Sequence, residues 1–167
     1  KNGFYLIKDK IQHKSGTVIP YEQVANLLYG PSYVSLEWAL SFYGIIPERV
    51  HTITSMTLGR NKAYSAPIGD FSYHMLAPSK YYIGITHKNT AEGPGGFMIA
   101  TPEKALADLV YITCKKLSKV QLYTELLESR RIEREVFHSL NKDLLYTIRQ
   151  AYSSKIVKNF VDLVGVL

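Results

Sequence analysis

Cysteine is almost absent from this chain: Cys114 is the only one in 167 residues. A single cysteine cannot form a disulfide within the chain, which excludes the class of small secreted domains held together by disulfides. No nucleophile motif surrounds it, so thiol catalysis is not predicted. We expect a small, buried apolar side chain in a reducing compartment, and therefore a cytoplasmic protein.

Long apolar runs are missing as well. No stretch approaches the roughly 18 apolar residues that indicate a membrane-spanning helix, and the opening residues do not resemble a signal peptide. We predict no membrane partner. The chain is 46% hydrophobic and 20% charged, which is typical of a globular domain, and its length predicts one domain.

The motifs of common metal, phosphate and nucleophile sites are also missing. The five histidines show no His-x-x-x-His spacing, and a lone cysteine cannot supply Cys-x-x-Cys. The glycine-rich residues 93–96 include Pro94, which has no N–H to offer a phosphate. Glu103 and Asp108 lie five residues apart on a predicted helix and point in different directions. We predict no metal, no cofactor and no enzymatic activity.

The chain does carry an excess of basic residues, with a formal charge of +6 and a pI near 9.3. Such a balance is compatible with an anionic partner without requiring one. Its 13 tyrosines modestly favour nucleic acid, because aromatic rings beside cations suit bases as well as protein interfaces. Three basic groups stand out along the sequence: Arg60 with Lys62; Lys115, Lys116 and Lys119; Arg130, Arg131 and Arg134.

Hydrophobic periodicity divides the chain into three parts and predicts an α+β fold. Residues 20–28 have helical spacing, and a second short helix around Trp38 ends at Gly44. Segments rich in β-branched and aromatic residues predict about four to five strands between residues 50 and 99, paired as an antiparallel meander because their connections are short. A strong helix start follows, with Thr101 as N-cap and Pro102 at the first helical position. Further helices are predicted near residues 119–129, 133–140 or 145, and 146–163, forming a bundle against the sheet.

Several sequence blocks occur in the same order as in a known family. They are YGPSYVSLE (29–37), YGIIPE (43–48), VHTIT (50–54), GRNK (59–62), PIGDFSYH (67–74) and ATPEKALADL (100–109). On these blocks the chain resembles the AbiEi-type antitoxins, also described as predicted transcriptional regulators of viral defence systems. The helical tail resembles the family only loosely.

The resemblance implies a non-enzymatic antitoxin and regulator of a type IV toxin–antitoxin system, acting in abortive infection and phage defence. Family members place a DNA-binding winged helix-turn-helix before a C-terminal antitoxin domain, which counters a nucleotidyltransferase toxin without a stable complex. Residues 1–167 then correspond to the C-terminal domain, with residues 1–8 as the last strand of the missing winged domain. DNA would be contacted mainly by that missing domain.

Most residues of these blocks read as turn, cap and packing residues that build the fold. For direct nucleic-acid contact we expect Arg60 and Lys62, on a hairpin turn, with Lys104 as a less exposed third. Two alternatives stay open. The chain could be a dimerisation or protein-binding module whose exposed tyrosines make the contact, forming a homo-oligomer, or a nucleic-acid-processing enzyme without a recognisable motif.

Overall fold

A computed structural model describes residues 20–89 and 95–167. The predicted strand at residues 1–8 lies outside this range, as does the first half of the glycine-rich loop at residues 93–96. All structural statements below concern the described residues.

The described strands form one six-stranded sheet in the order β3-β4-β2-β1-β6-β5. The strands are β1 Ser32–Val34, β2 Ile53–Thr57, β3 Lys62–Ala66, β4 Gly69–Met75, β5 Ile85–Asn89 and β6 Gly96–Ala100. Strand β1 lies at the centre, antiparallel to β2 and parallel to β6. Strand β2 pairs in parallel with β4, while β3 and β5 are the antiparallel edge strands.

The α+β class is confirmed, but the prediction of an antiparallel meander of four to five strands is wrong in its pairing. The described sheet is mixed, because β4 returns beside β2 and runs parallel to it. Strand β3 lies at the edge of the sheet and runs antiparallel to β4, so it brings the chain back to the end at which β2 begins. The parallel pair of β2 and β4 therefore needs no crossover helix. The three-residue β1 is an additional strand, which lies outside the predicted strand region of residues 50–99.

The described helices are α1 Tyr21–Leu28, α2 Leu36–Phe42, α3 Pro78–Tyr81, α4 Pro102–Thr113, α5 Lys119–Thr124, α6 Arg134–Ser139, α7 Lys142–Tyr152 and α8 Lys155–Val164. A π-helical turn, Glu125–Ser129, follows α5. The start of α4 is as predicted, since the Thr101 side chain accepts a hydrogen bond from the Lys104 backbone N–H and Pro102 is the first helical residue. The predicted helix over residues 146–163 is two helices, because Ser153 adopts a left-handed conformation (φ 45°) that ends α7.

Helices α1 and α4 cover opposite faces of the sheet. The Tyr73 hydroxyl on β4 donates to the Ala25 carbonyl of α1 at 2.7 Å, whereas the Tyr33 hydroxyl on β1 donates to Asp108 of α4 at 3.0 Å. The strand register supports this arrangement. Ser55 is the register partner of both Val34 and Tyr73, so these three side chains lie on one face of the sheet. Tyr33 is the neighbour of Val34 and therefore lies on the opposite face. Helix α4 also packs against α2, α7 and α8 and is the central helix of the core.

No helix in residues 20–89 and 95–167 is long and apolar enough to cross a membrane.

Candidate nucleic-acid interface

The turn between β2 and β3 presents Arg60 and Lys62 together at one edge of the sheet. Both side chains are exposed. The backbone N–H of Arg60 donates to the Tyr29 hydroxyl at 3.1 Å, and the Lys62 ammonium lies 4.6 Å from the centre of the Tyr29 ring. A cation at that distance is attracted to the face of the ring. The start of the YGPSYVSLE block and the basic turn are therefore one structural unit.

Three tyrosines anchor this turn to the fold. The Tyr29 ring lies 5.2 Å from that of Tyr73 and 6.3 Å from that of Tyr64, while Tyr64 and Tyr73 are 5.9 Å apart. Burial raises the pKa of Tyr73 above its ordinary value, so its hydroxyl stays protonated and donates to α1. The Lys62 ammonium thus lies against packed tyrosine rings. We call Arg60, Lys62 and Tyr29 the hairpin surface.

Lys104 lies elsewhere and does not reach the protein surface. Its side chain is completely buried, and its ammonium donates to the Lys80 carbonyl at 2.5 Å and to the Tyr152 hydroxyl at 2.6 Å. It packs near strand β1, which is three strand spacings, roughly 14 Å, from β3. The burial argues against the predicted nucleic-acid contact, because a phosphate at the surface cannot reach this ammonium.

Asp108 is the centre of the network that holds Lys104. One carboxylate oxygen lies 3.5 Å from the Lys104 ammonium and accepts a short hydrogen bond from the Tyr152 hydroxyl. The other oxygen accepts from Tyr33 at 3.0 Å and from Ser35 at 2.8 Å. The network joins β1, α4 and α7, and every polar group in it has a partner, as a buried charge requires.

Burial is the largest cause of the pKa shifts in this network. Burial lowers the pKa of Lys104, and the nearby Asp108 carboxylate opposes that shift. Burial, followed by the charge of Asp108, raises the pKa values of Tyr33 and Tyr152. Such a cluster could move a proton in a catalytic site. Here the cluster is sealed from solvent, so a substrate cannot reach it in this conformation.

A signal for the burial of Lys104 exists in the sequence. Residues 105–110 read Ala-Leu-Ala-Asp-Leu-Val, so α4 is apolar there except at Asp108, which is typical of a buried helix. Lys104 and Asp108 stand at i and i+4, the spacing of an ion pair within one helix. The two patterns together indicate a buried pair.

A second basic surface lies where the ends of three helices meet. Two hollows, of about 560 Å³ and 360 Å³, adjoin at Lys155 between the end of α4, the start of α5 and the junction of α7 with α8. Five exposed lysines line them: Lys115, Lys116, Lys119, Lys155 and Lys158. Among the described residues that line these hollows there is no carboxylate. We call these five residues and the hollows between them the lysine groove.

The sequence indicates only part of this groove. Lys115, Lys116 and Lys119 form a cluster along the chain, whereas Lys155 and Lys158 join them because α5 packs against α8. The spacing of Lys155 and Lys158 places both on one side of a helix, which is the only local signal for their contribution.

Two of the three arginines in the third basic group are paired with carboxylates within the chain. Arg130 forms ion pairs with Glu37 and Glu125, each at 2.9 Å. Arg131 pairs with Glu48, and Arg134 donates to the Tyr123 hydroxyl at 2.6 Å. These contacts tie the turn before α6 to the fold, and the ion pairs of Arg130 and Arg131 compensate two of the three positive charges.

Comparison with known proteins does not assign the chain to a family. No protein-family model matches the chain, and no curated protein matches it. Among residues 20–89 and 95–167, no group of three or more histidine, cysteine, aspartate or glutamate side chains could hold a metal ion.

Proposed function

We propose that the chain is the C-terminal domain of an AbiEi-type antitoxin and that its lysine groove contacts nucleic-acid phosphates without reading sequence. In this proposal the domain follows a winged helix-turn-helix that reads operator DNA and represses the operon. It acts in the cytoplasm, without enzymatic activity, against a nucleotidyltransferase toxin that it does not bind stably. The ordered sequence blocks support the family, and the unpaired charge of the lysine groove carries the nucleic-acid contact.

The electrostatics of the lysine groove favour a polyanion. Five ammonium groups line hollows without a carboxylate among the lining side chains. None of the five forms an ion pair with another described residue, whereas Arg130, Arg131 and Arg149 all do. Like charges held within one Debye length, about 8–10 Å, repel each other. A chain of phosphates relieves this repulsion and releases its own counterions.

The type of cation favours sequence-independent contact. Lysine is a flexible point charge, whereas specific reading of bases in the major groove mostly uses arginine and amide side chains. Ser118, Gln121 and Asn159 add neutral hydrogen-bonding groups to the wall of the groove, which can bind phosphate oxygens. The hairpin surface is a second, smaller contact, with Lys62 beside the Tyr29 ring and the exposed side chain of Arg60 near it in sequence.

The test is binding of a fluorescently labelled short DNA duplex, followed by anisotropy over about 50–200 mM salt. We expect weak binding that is insensitive to sequence. The double variant Lys116→Glu/Lys155→Glu should weaken it and should reduce the slope of log K against log salt by about 2, because each phosphate contact contributes about 0.9. Lys142→Glu reverses an exposed lysine outside the groove and is the matched control.

Arg60→Glu/Lys62→Glu measures the share of the hairpin surface in the same assay. If the salt slope of Lys116→Glu/Lys155→Glu equals that of Lys142→Glu, the lysine groove makes no phosphate contact and the nucleic-acid part of the proposal fails. Sequence-specific binding at high salt would contradict it as well.

The two alternatives have less support from the geometry. An enzyme needs acid and base groups that a substrate can reach, and the Lys104–Asp108–Tyr152 cluster is sealed. A dimerisation module would present its exposed tyrosines, such as Tyr82 at 69% and Tyr146 at 59% exposure. Light scattering over a range of concentrations tests the dimer directly, and a concentration-dependent mass would favour it.

A further inference from the structure

A cleft separate from both basic surfaces opens between the start of α1, helix α2 and the first residues of β2 and β4. Its volume is about 330 Å³, near the lower end of the range for small-molecule sites. Five apolar residues form part of its lining: Trp38, Val50, Ile53, Ile68 and Phe71. Ile53 and Phe71 are register partners on neighbouring strands and are almost fully buried. An apolar group could be enclosed here.

Charged residues of both signs also line this cleft. Arg49 comes from the segment before β2, Asp70 from β4 and Glu22 from the first turn of α1. Among the described residues, none of these three side chains forms an ion pair or a side-chain hydrogen bond, although they border one cleft. By contrast, Arg130, Arg131 and Arg149 are all paired. The cleft therefore offers one guanidinium and two carboxylates to a ligand, and the His51 side chain lines it as well.

We propose that this cleft binds a free amino acid with a large apolar side chain. Arg49 holds the ligand carboxylate, for which a planar guanidinium is well suited. Glu22 and Asp70 hold the ligand ammonium, and the side chain lies against Trp38 and the other apolar lining residues. Two carboxylates beside a single guanidinium disfavour a phosphate dianion, which argues against a nucleotide.

This site goes beyond the proposed nucleic-acid contact and does not depend on it, because the cleft shares no lining residue with the lysine groove or the hairpin surface. It would make the domain responsive to a small metabolite as well as to a polyanion. Failure of one proposal leaves the other standing.

Trp38 provides a direct measurement, since it is the only tryptophan in the chain. The test is titration of the 167-residue protein with L-phenylalanine and L-leucine, followed by tryptophan fluorescence and checked by calorimetry. We expect a saturable change with both ligands. Three fragments should each bind at least roughly fivefold more weakly than phenylalanine, because each lacks one of the three proposed contacts: glycine has no side chain, phenethylamine no carboxylate and phenylpropanoate no ammonium.

Variants assign the contacts. Arg49→Gln should weaken phenylalanine binding at least roughly fivefold and leave phenethylamine binding unchanged, because that fragment has no carboxylate to lose. Asp70→Asn should weaken phenylalanine and leave phenylpropanoate unchanged. Arg134→Gln, which changes an exposed arginine outside the cleft, is the control, and circular dichroism checks the folding of each variant.

The proposal is overturned by any of three results. These are the absence of saturable binding of either amino acid in the millimolar range, equal phenylalanine affinity in wild type and Arg49→Gln, or tighter binding of a nucleoside monophosphate than of phenylalanine.

Discussion

The Tyr152 hydroxyl connects the two buried charges of the core, and Tyr152→Phe removes it while keeping the ring. The hydroxyl accepts a hydrogen bond from the Lys104 ammonium at 2.6 Å and donates one to Asp108. Tyr152 is only 1% exposed, so water cannot replace the lost partner without opening the core. The substitution therefore isolates the contribution of this bridge to the free energy of unfolding.

The expected loss is about 3 kcal/mol. Each hydrogen bond to a charged group contributes roughly 1.5–3 kcal/mol, and the two bonds here share one hydroxyl, so their contributions do not add fully. Lys104 and Asp108 remain 3.5 Å apart in the variant, which keeps the loss at the lower end of the roughly 3–5 kcal/mol for an abolished buried pair. For a chain of this length the melting temperature should fall by about 6–12 °C.

Urea unfolding followed by circular dichroism measures this loss, with Tyr146→Phe as the control. Tyr146 is on the same helix but 59% exposed, and its variant should stay within about 0.5 kcal/mol of wild type. Lys104→Met, which leaves Asp108 without a cation, should lose at least as much as Tyr152→Phe. A Tyr152→Phe variant as stable as Tyr146→Phe would refute the stabilising role of the network.

Two further predictions concern packing and pH. Gly59→Ala should cost about 1–3 kcal/mol in urea unfolding, because its Cβ would lie 2.9 Å from Cζ of Tyr29; Gly165→Ala, with nothing nearer than 3.7 Å, is the control, and equal stability of the two would contradict the close packing. Stability should also fall above pH 10 in urea unfolding at increasing pH, because the unfolded chain releases tyrosine protons that the folded chain retains. The pKa is raised by burial at Tyr33, Tyr43, Tyr73, Tyr81 and Tyr152. The lowered pKa of Lys104 acts in the opposite direction but is a single group; constant stability to pH 11 would contradict this expectation.

Local features of the fold could be predicted because they depend on residues close in sequence. Thr101 and Pro102 specify the start of α4 through a cap and a fixed backbone angle. Helix α1 follows from apolar spacing over residues 20–28. Strand pairing could not be predicted in the same way. The parallel pairing of Val34 with Ile99 joins strands far apart in the chain, and the short connections indicated a meander that the fold does not adopt.

The candidate sites show the same difference between local features, which the sequence predicts, and tertiary contacts, which it does not. The proximity of Arg60 to Lys62 is local, and the sequence predicts it. The contact of both with Tyr29 and the meeting of Lys116 with Lys155 are tertiary. Lys104 is the instructive case, because its place within a family block suggested a contact residue while its apolar neighbours indicated burial. The apolar surroundings were the better guide.

The cations of the chain fall into two groups according to their surroundings. Some are paired or buried within the fold, whereas others are exposed and are candidates for a function. Arg130, Arg131 and Arg149 are bound to carboxylates, and Lys104 is buried beside Asp108. These cations are neutralised within the fold, so the excess positive charge of the chain lies on the others. The lysine groove concentrates five of those where no lining carboxylate compensates them. The five ammonium groups repel each other. We therefore expect that an acidic residue introduced into the groove stabilises the free protein and lowers its affinity for a polyanion.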